Sequence, residues 1–363
     1  MKQELSTKEA LLLLFEKNKG KFFSGEEIAE ELSISRTAVW KAVKTLQSEG
    51  YPITAQKSRG YSLSPDTDIV SSQGVEKYLR DGLDLDISVF DEVTSTNTLL
   101  KEKAAAGDRE GTVIIANSQT DGKGRLGRSF YSPRNTGLYI SILLRPSDLP
   151  PQKALKITTM AAVSACHAIE SVLCSQPSPD AAPAGKKTAK RAHPGADAPQ
   201  IKWVNDIFYR GKKVVGILTE ASVSMENGNL EYAVLGIGFN VYAPEDGFPE
   251  DLKDIAGAIL PARQPDAKNK IAAEFLNHFF RTYTAPDHGN SEEEYQRRSL
   301  VLGKDVNVIS TGSGSTRRAK VLDITSDCNL LVEYEDKTTS VLSSGEVSIR
   351  PAEKPQKGKK KAQ

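Results

Sequence analysis

The chain has 363 residues, 38% apolar and 26% charged, with a formal net charge of +1, which fits a globular protein of two or three domains and excludes a polyanion binder that works through bulk charge. Cys166, Cys174, Cys328, His167, His193, His278 and His288 form no CxxC, HxxxH or CxxCH pair, so neither a structural zinc site nor a disulfide framework is expected. No run approaches the ~20 apolar residues of a membrane span, and the N-terminal run Ala10 to Phe15 leads straight into Glu16-Lys17-Asn18-Lys19, so no membrane partner and a cytoplasmic location are expected.

Leucines at helical spacing over residues 6–18 predict a first helix, ended by Gly20. Ser24-Gly25-Glu26-Glu27 is a capping box that opens a short second helix with Ile28, Ala29 and Leu32 on one face. Ser33-Ile34 makes a tight turn, and Ser35 caps a third helix with the stripe Val39, Val43 and Leu46; Trp40 reads first as core packing and second as a base contact. Ile53 to Leu63, with Gly60 in the middle, reads as a hairpin wing. Helix, tight turn, helix and wing make a winged helix-turn-helix over 1–64. From Ser33 to Ser64 the charges are Arg36, Lys41, Lys44, Lys57 and Arg59 against a single acid, Glu49. Ser35, Arg36 and Thr37 at the start of the third helix, Lys41 and Lys44 along it, and Lys57 and Arg59 on the wing are therefore the expected DNA contacts, while Glu26, Glu27, Glu30 and Glu31 should face away from phosphate.

Ser64-Pro65-Asp66 reads as a linker. The next domain, 65–300, is mixed α/β: strand-like runs at Ile87–Phe90, Thr112–Ala116, Leu138–Leu144, Ile201–Val204, Val214–Thr219 and Tyr232–Val241, and helix-like runs near 95–106, 152–173, 267–285 and 291–300. Asn227-Gly228 reads as a hairpin turn. Residues 174–200 contain no Ile, Leu, Val, Phe, Met, Tyr or Trp and are expected to be a disordered insertion. In 301–350, runs at Val306–Ser310, Ala319–Ile324, Leu330–Tyr334, Thr339–Leu342 and Val347–Arg350 predict a small five-stranded, SH3-like barrel. The basic tail 351–363 is expected to be disordered. The overall class is α+β and multidomain.

Four segments carry chemistry. Gly122-Lys123-Gly124-Arg125-Leu126-Gly127-Arg128 spells GxGxxG but runs into turn-rich Ser129-Phe130-Tyr131-Ser132-Pro133 rather than a helix, so it is not a dinucleotide fingerprint; no GxxxxGK[ST] is present. What remains is a glycine-rich loop with three close cations, Lys123, Arg125 and Arg128, a combination that suits an anion. Lys202-Trp203-Val204-Asn205-Asp206 presents a lysine beside a polar turn. Thr94-Ser95-Thr96-Asn97 is a helix N-cap that can also offer hydroxyls to a ligand. Gly236-Ile237-Gly238-Phe239-Asn240 suggests a strand passing close to a ligand.

In this order behind a winged helix-turn-helix, the motifs STN, Q-x-x-G-K-G-R-x-G-R, K-W-x-N-D, G-I-L-x-E and G-I-G-x-N resemble the bifunctional biotin–protein ligase and biotin-operon repressor family, over about residues 5–350 without the 174–200 insertion. The family usually has tryptophan where Phe130 stands and proline where Val204 stands. The resemblance implies an ATP-dependent ligase with Mg²⁺ that makes biotinyl-5′-adenylate and transfers biotin to a lysine of a biotin carboxyl carrier protein, and a repressor that binds operator DNA as a homodimer when the adenylate is bound. It implies that Ser95, Thr96, Asn97 and Gln119 line the biotin head, that Lys123, Gly124 and Arg125 cover biotin and adenylate with Gly122, Gly127 and Arg128 in the same loop, and that Lys202, with Arg125, reaches the reacting carboxylate. It leaves any metal ligands unassigned. A lipoate or octanoate ligase and a non-catalytic ligand-sensing repressor are the alternative readings.

Overall fold

The structure is a computed structural model that describes residues 5–146, 150, 154–174, 197–224, 228–285, 291–310, 314–343 and 347–351, the last five as backbone only. Most of the insertion expected at 174–200, the turn residue Asn227 and the tail beyond 351 lie outside the described residues. Cys174 caps a helix and Gln200 opens a strand, so both ends of the insertion are tied to regular structure.

The N-terminal part comprises α1 (Thr7–Lys17), α2 (Gly25–Glu31), α3 (Arg36–Ser48), β1 (Ile53–Gln56) and β2 (Gly60–Leu63). Ser6, Ser24 and Ser35 each accept a hydrogen bond from the backbone three residues on, and Glu9 and Glu27 complete capping boxes, so each helix start satisfies donors it would otherwise leave bare. Ser33, at φ 54°, makes the sharp turn between α2 and α3. Leu11, Phe15, Ile28, Val39, Val43, Leu46, Ile53 and Leu63 form a core separate from that of the rest of the chain. Trp40 corrects the sequence reading: it is 52% exposed. The buried stripe of α3 is Val39, Ala42, Val43 and Leu46, and one residue beyond Val39 the side chain is turned by ~100°, out of that stripe.

The central part runs α4 (Ser72–Glu76), β3 (Asp86–Phe90), α5 (Thr96–Ala105), β4 (Thr112–Ala116), β5 (Gly137–Leu144), α6 (Leu155–Leu173), β6 (Gln200–Lys202), β7 (Asp206–Tyr209), β8 (Lys212–Val223), β9 (Leu230–Asn240), α7 (Ala267–Tyr283) and α8 (Ser291–Arg297). Its seven-stranded sheet has the order β3-β4-β5-β9-β8-β7-β6, with β3 and β4 parallel and every other pair antiparallel. Side chains alternate between the two faces, as the pleat requires. Leu138, Ile140, Ile142 of β5 and Ala233, Leu235, Ile237, Phe239 of β9 meet α6 and α7 in the main core. On the other face Leu143 and Val234 meet Leu100 and Ala104 of α5. Two short elements, α4 and β7, were absent from the sequence reading.

The C-terminal part is β10 (Asp305–Ser310), β11 (Thr316–Ile324), β12 (Leu330–Tyr334), β13 (Thr339–Leu342) and β14 (Val347–Pro351). It forms an antiparallel sheet in the order β13-β12-β11-β10-β14. These are the five strands expected for the small SH3-like domain; among the described residues β13 and β14 share no ladder. Its core is continuous with the central one, and Trp203 Nε1 donates to the Cys328 carbonyl at 2.9 Å.

Four buried charges join the N-terminal and central parts. Asp266, just before α7, accepts from Lys19 Nζ at 2.5 Å, from Lys77 Nζ at 2.7 Å and from the Tyr78 hydroxyl at 2.9 Å. Glu16 of α1, whose side chain is fully buried, pairs with Lys77 at 2.7 Å and Lys19 at 3.1 Å. Two anions and two cations thus neutralise one another across the junction, which is the condition for keeping charges out of water.

Candidate functional site

The face of the sheet that carries α5 has a hollow, and the sequence of β9 explains it. Along this face β9 presents Val234, Gly236 and Gly238, and β8 presents Gly216 opposite Gly238. The helix α5 covers Val234; beyond the helix start, three residues without side chains leave the sheet bare. The glycines are required by close approach. A Cβ on Gly236 would stand 2.8 Å from Asn97 Cγ, and one on Gly216 would stand 2.8 Å from the Phe130 ring.

The hollow is lined by Ser95, Thr96, Asn97, Gln119, Lys123, Gly124, Arg125, Phe130, Asn205, Lys213 and the β8 and β9 backbone, and it encloses about 60 Å³. One wall is neutral and hydrogen-bonded. Gln119 Oε1 accepts from Thr96 N at 2.8 Å and from its hydroxyl at 3.1 Å, while Gln119 Nε2 donates to Ser132 Oγ at 2.9 Å. Ser141, fully buried on β5, donates within reach of both Thr96 Oγ1 (2.8 Å) and Asn97 Oδ1 (2.6 Å), and Asn97 Nδ2 donates to Glu220 at 2.8 Å. Glu220 stays below the usual carboxylate range: burial works the other way and is outweighed by Lys101, Asn97 and Lys123. These bonds fix both amides in one orientation, so the wall is preorganised.

The opposite wall is cationic. Arg125 Nη1 donates to Asn205 Oδ1 at 3.2 Å, and Asn205 Nδ2 donates to the Ile217 carbonyl at 2.8 Å. Burial lowers the Arg125 pKa, with Asp206 opposing the shift. Lys213 Nζ pairs with Asp206 Oδ1 at 2.6 Å. The loop is pinned into a closed lobe by Gly124 N to Arg128 O (2.7 Å) and Phe130 N to Gly122 O (2.7 Å), with a single 3₁₀ turn at Arg125–Gly127 and Leu126 left-handed at φ 57°.

Of the residues expected from sequence, Ser95, Thr96, Asn97, Gln119, Lys123, Gly124 and Arg125 meet around one hollow. Gly122 is buried, with no room for a Cβ beside Phe130 and Ser132, and Gly127 and Arg128 lie at the exposed end of the lobe. Lys202 is not among the lining residues. It sits on β6, the edge strand two places beyond β8, with Nζ 5.7 Å from the centre of the Phe208 ring. It nevertheless stands in one cross-strand row with Asp206, Gly216 and Gly238, on the face of the hollow; a second lysine on that wall, Lys213, was missed by the sequence reading. The cause is a β-bulge: Ile207 pairs with Val215 but Phe208 pairs with Lys213, leaving Val214 as an extra residue. In a regular strand Lys213 and Gly216 would point to opposite faces; the extra residue brings both to the hollow. Ser141, Ser132, Asn205 and Glu220 were also missed, although Asn205 and Glu220 stand inside the K-W-x-N-D and G-I-L-x-E motifs. Among the described residues no group of three or more His, Cys, Asp or Glu could hold a metal ion, and no helix is long and apolar enough to cross a membrane.

The basic face of the N-terminal part is also laid out. Ser35, Arg36, Thr37, Lys41, Lys44, Lys57 and Arg59 are all exposed. Ser35 Oγ is already used as the α3 cap, accepting from Ala38 N at 3.2 Å. Arg59 lies apart from the others in charge environment: its guanidinium stacks over Phe22 at 4.2 Å and shares a groove with Glu26, Glu27 and Glu30.

Comparison with known proteins follows this layout. Residues 7–62 match a helix-turn-helix domain family, 89–240 the biotin/lipoate A/B protein ligase family, and 301–350 the biotin protein ligase C-terminal domain. The chain is 32% identical over 346 residues to the bifunctional ligase/repressor BirA of Bacillus spizizenii, covering 92% of this chain and 96% of that protein. The chain belongs to the bifunctional biotin ligase/repressor family. It is also similar to the biotin–[acetyl-CoA-carboxylase] ligase of Mycobacterium tuberculosis, at 29% identity over 72% of this chain and 88% of that one. The fold is that of the Aquifex aeolicus biotin protein ligase solved with biotin and ATP, at a TM-score of 0.55 and 24% identity, covering 74% of this chain and 99% of that one.

Proposed function

We propose that the hollow binds biotin and ATP, forms biotinyl-5′-adenylate, and passes biotin to a lysine of a carboxyl carrier protein in the cytoplasm, and that the N-terminal part represses transcription when the adenylate is held. The observation that supports it most is the pairing of walls: fixed neutral amides and hydroxyls at the start of α5 face Lys123, Arg125 and Lys213 over a floor of glycines. The neutral wall suits the ureido ring of biotin, which offers both donors and acceptors. The cations suit the meeting of two anions.

In the first step a carboxylate oxygen of biotin attacks the α-phosphorus of ATP, the bond from that phosphorus to the bridging oxygen breaks, and pyrophosphate leaves. Arg125 and Lys202, with Lys213 beside them, offset the repulsion between carboxylate and phosphate and stabilise charge that grows on the phosphoryl oxygens. In the second step the carrier's lysine amine attacks the acyl carbon and AMP leaves. Neither step needs a nucleophile from this chain. Magnesium belongs to this reading as the companion of the ATP phosphates; when bound it would neutralise the leaving pyrophosphate.

A volume of about 60 Å³ is far below the ~300 Å³ or more of a site that encloses a small organic ligand. Phe130 rests against the glycine floor, so ligand entry requires Phe130 and the loop to swing outward and then close again, which excludes water from a reactive anhydride. That closure is the step proposed to favour a homodimer that reads a palindromic operator.

The test is biotin-dependent exchange of labelled pyrophosphate into ATP by the purified chain, with lipoate as comparator. Exchange with biotin alone is the expected result. Exchange with lipoate alone overturns the substrate assignment, and biotin binding without exchange leaves a sensor-repressor.

A further inference from the structure

An indole is among the larger apolar side chains and is normally well covered. Trp40 is 52% exposed in the middle of α3. Arg36, Trp40 and Lys44 form one i, i+4 row along the outside of the helix, with Thr37 and Lys41 beside it, all exposed. Val39, Ala42, Val43 and Leu46 bury the other side. Among the described residues no ring or cation stacks on Trp40. An uncovered apolar ring between two cations fits a polyanion that also offers an apolar group.

Duplex DNA meets both conditions. Its phosphates match Arg36, Lys41 and Lys44, and the apolar group that base edges present in the major groove is the thymine C5-methyl. Bases in a closed duplex are stacked, and side-chain wedges enter from the minor groove, so a ring carried on a major-groove helix meets methyls rather than base faces. We propose that Trp40 is a specificity-determining residue that packs against a thymine methyl in each half-site, while Arg36 and Lys44 hold the flanking phosphates. This rests on the reading of the N-terminal part as DNA-binding.

The experiment uses the full chain with biotin and ATP. A strongly bound duplex is first selected from randomised DNA, and its dT positions are then replaced one at a time by dU, which removes only the methyl. Wild type is expected to lose about four-fold in affinity per critical methyl, the worth of one buried carbon, at one symmetry-related position per half-site. Trp40→Ala should bind the selected duplex about ten-fold or more weakly, show no response to dU there, and keep the same salt dependence. Trp40→Phe should retain part of the methyl response. Lys44→Ala should instead flatten the salt dependence on every duplex, selected or random.

Pyrophosphate exchange by Trp40→Ala at the wild-type rate shows that the chain is folded. Trp40→Ala that binds the selected duplex as wild type does, or that keeps the same dU response, overturns the proposal and leaves DNA binding intact. So does Trp40→Ala that changes self-association without DNA while leaving the dU response unchanged, which would make this face a contact between copies. If wild type selects no sequence at all, DNA reading itself fails and the role of Trp40 fails with it.

Discussion

Replacing Gly236 by alanine should damage biotin binding out of proportion to the single carbon added. The new Cβ would lie 2.8 Å from Asn97 Cγ, 2.9 Å from Nδ2 and closer still to Oδ1. Backbone on β9 cannot retreat, because Gly236 is paired with Ser141 on one side and Leu218 on the other. Asn97 must therefore move, and it is held by Ser141 at 2.6 Å and Glu220 at 2.8 Å. A displacement that breaks one of these leaves a buried polar group unpaired, which costs about 1–3 kcal/mol, or about 5- to 150-fold in affinity if it falls on the ligand-bound form. Gly216→Ala is the control: its Cβ would meet the Phe130 ring, a side chain on a loop that must move for ligand anyway, so a smaller loss is expected. Calorimetric titration with biotin reads both, and urea unfolding reports on the fold. Wild-type affinity in Gly236→Ala would refute the placing of Asn97 in the biotin wall.

Lys202→Ala and Lys213→Ala are each expected to slow biotin-dependent pyrophosphate exchange by about 10²–10³, the usual worth of one preorganised charge contact; a near-normal rate in either variant would remove that lysine from the site. Asp266→Asn should lower the urea-unfolding free energy by about 3 kcal/mol, as breaking one member of a buried charge group does; an unchanged midpoint would show that the junction is loose. His278, stacked on His167 at 4.1 Å between ring centres, is held down to a pKa of about 3 by burial and by His167. The unfolded chain, with histidine near ~6.5, takes up the proton first, so this contribution is complete above the unfolded value and is lost as pH falls from about 6.5 toward 3. Urea midpoints of wild type and His278→Asn should diverge across that window and not above it.

Where the chain obeys one simple period, sequence reading places it well. The C-terminal strands alternate and are broken by turn residues, and all five appear where the alternation puts them. The serine caps of α2 and α3 mark their helix starts. Trp40 was misplaced because residue type was allowed to outweigh position: it is adjacent to Val39 in sequence but a quarter-turn or more away on the helix. Lys213 was illegible for a different reason. Its facing depends on the bulge at Val214, a property of how β7 and β8 pair, and nothing in the run Lys212-Lys213-Val214-Val215 announces an extra residue. Lys202 follows from the family resemblance rather than from a local pattern; the strand order β8-β7-β6, which no local pattern encodes, sets it in one row with Gly216 on the face of the hollow.

The same strand order bears on how one chain can serve two activities. The hollow and the DNA-facing helix are on different parts of the chain, yet a packed route connects them. The floor strand β9 carries Phe239 on its reverse side, 5.7 Å from Phe275 of α7. The start of α7 is where Asp266 holds Lys19 and Lys77, and through them Glu16 of α1. α1 shares its core with α3, the helix that carries Trp40. Contiguity of this kind does not by itself transmit anything; a ligand shifts an equilibrium only if it binds two forms unequally. What the route does supply is rigidity at the junction. Four mutually neutralised charges fix the orientation of the N-terminal part on the ligase part; in the proposed homodimer, the surface that pairs two chains would also set the spacing of two α3 helices. Half-site spacing would then be a property of the junction as much as of the dimer contact, and Asp266 is the residue at which the two can be separated.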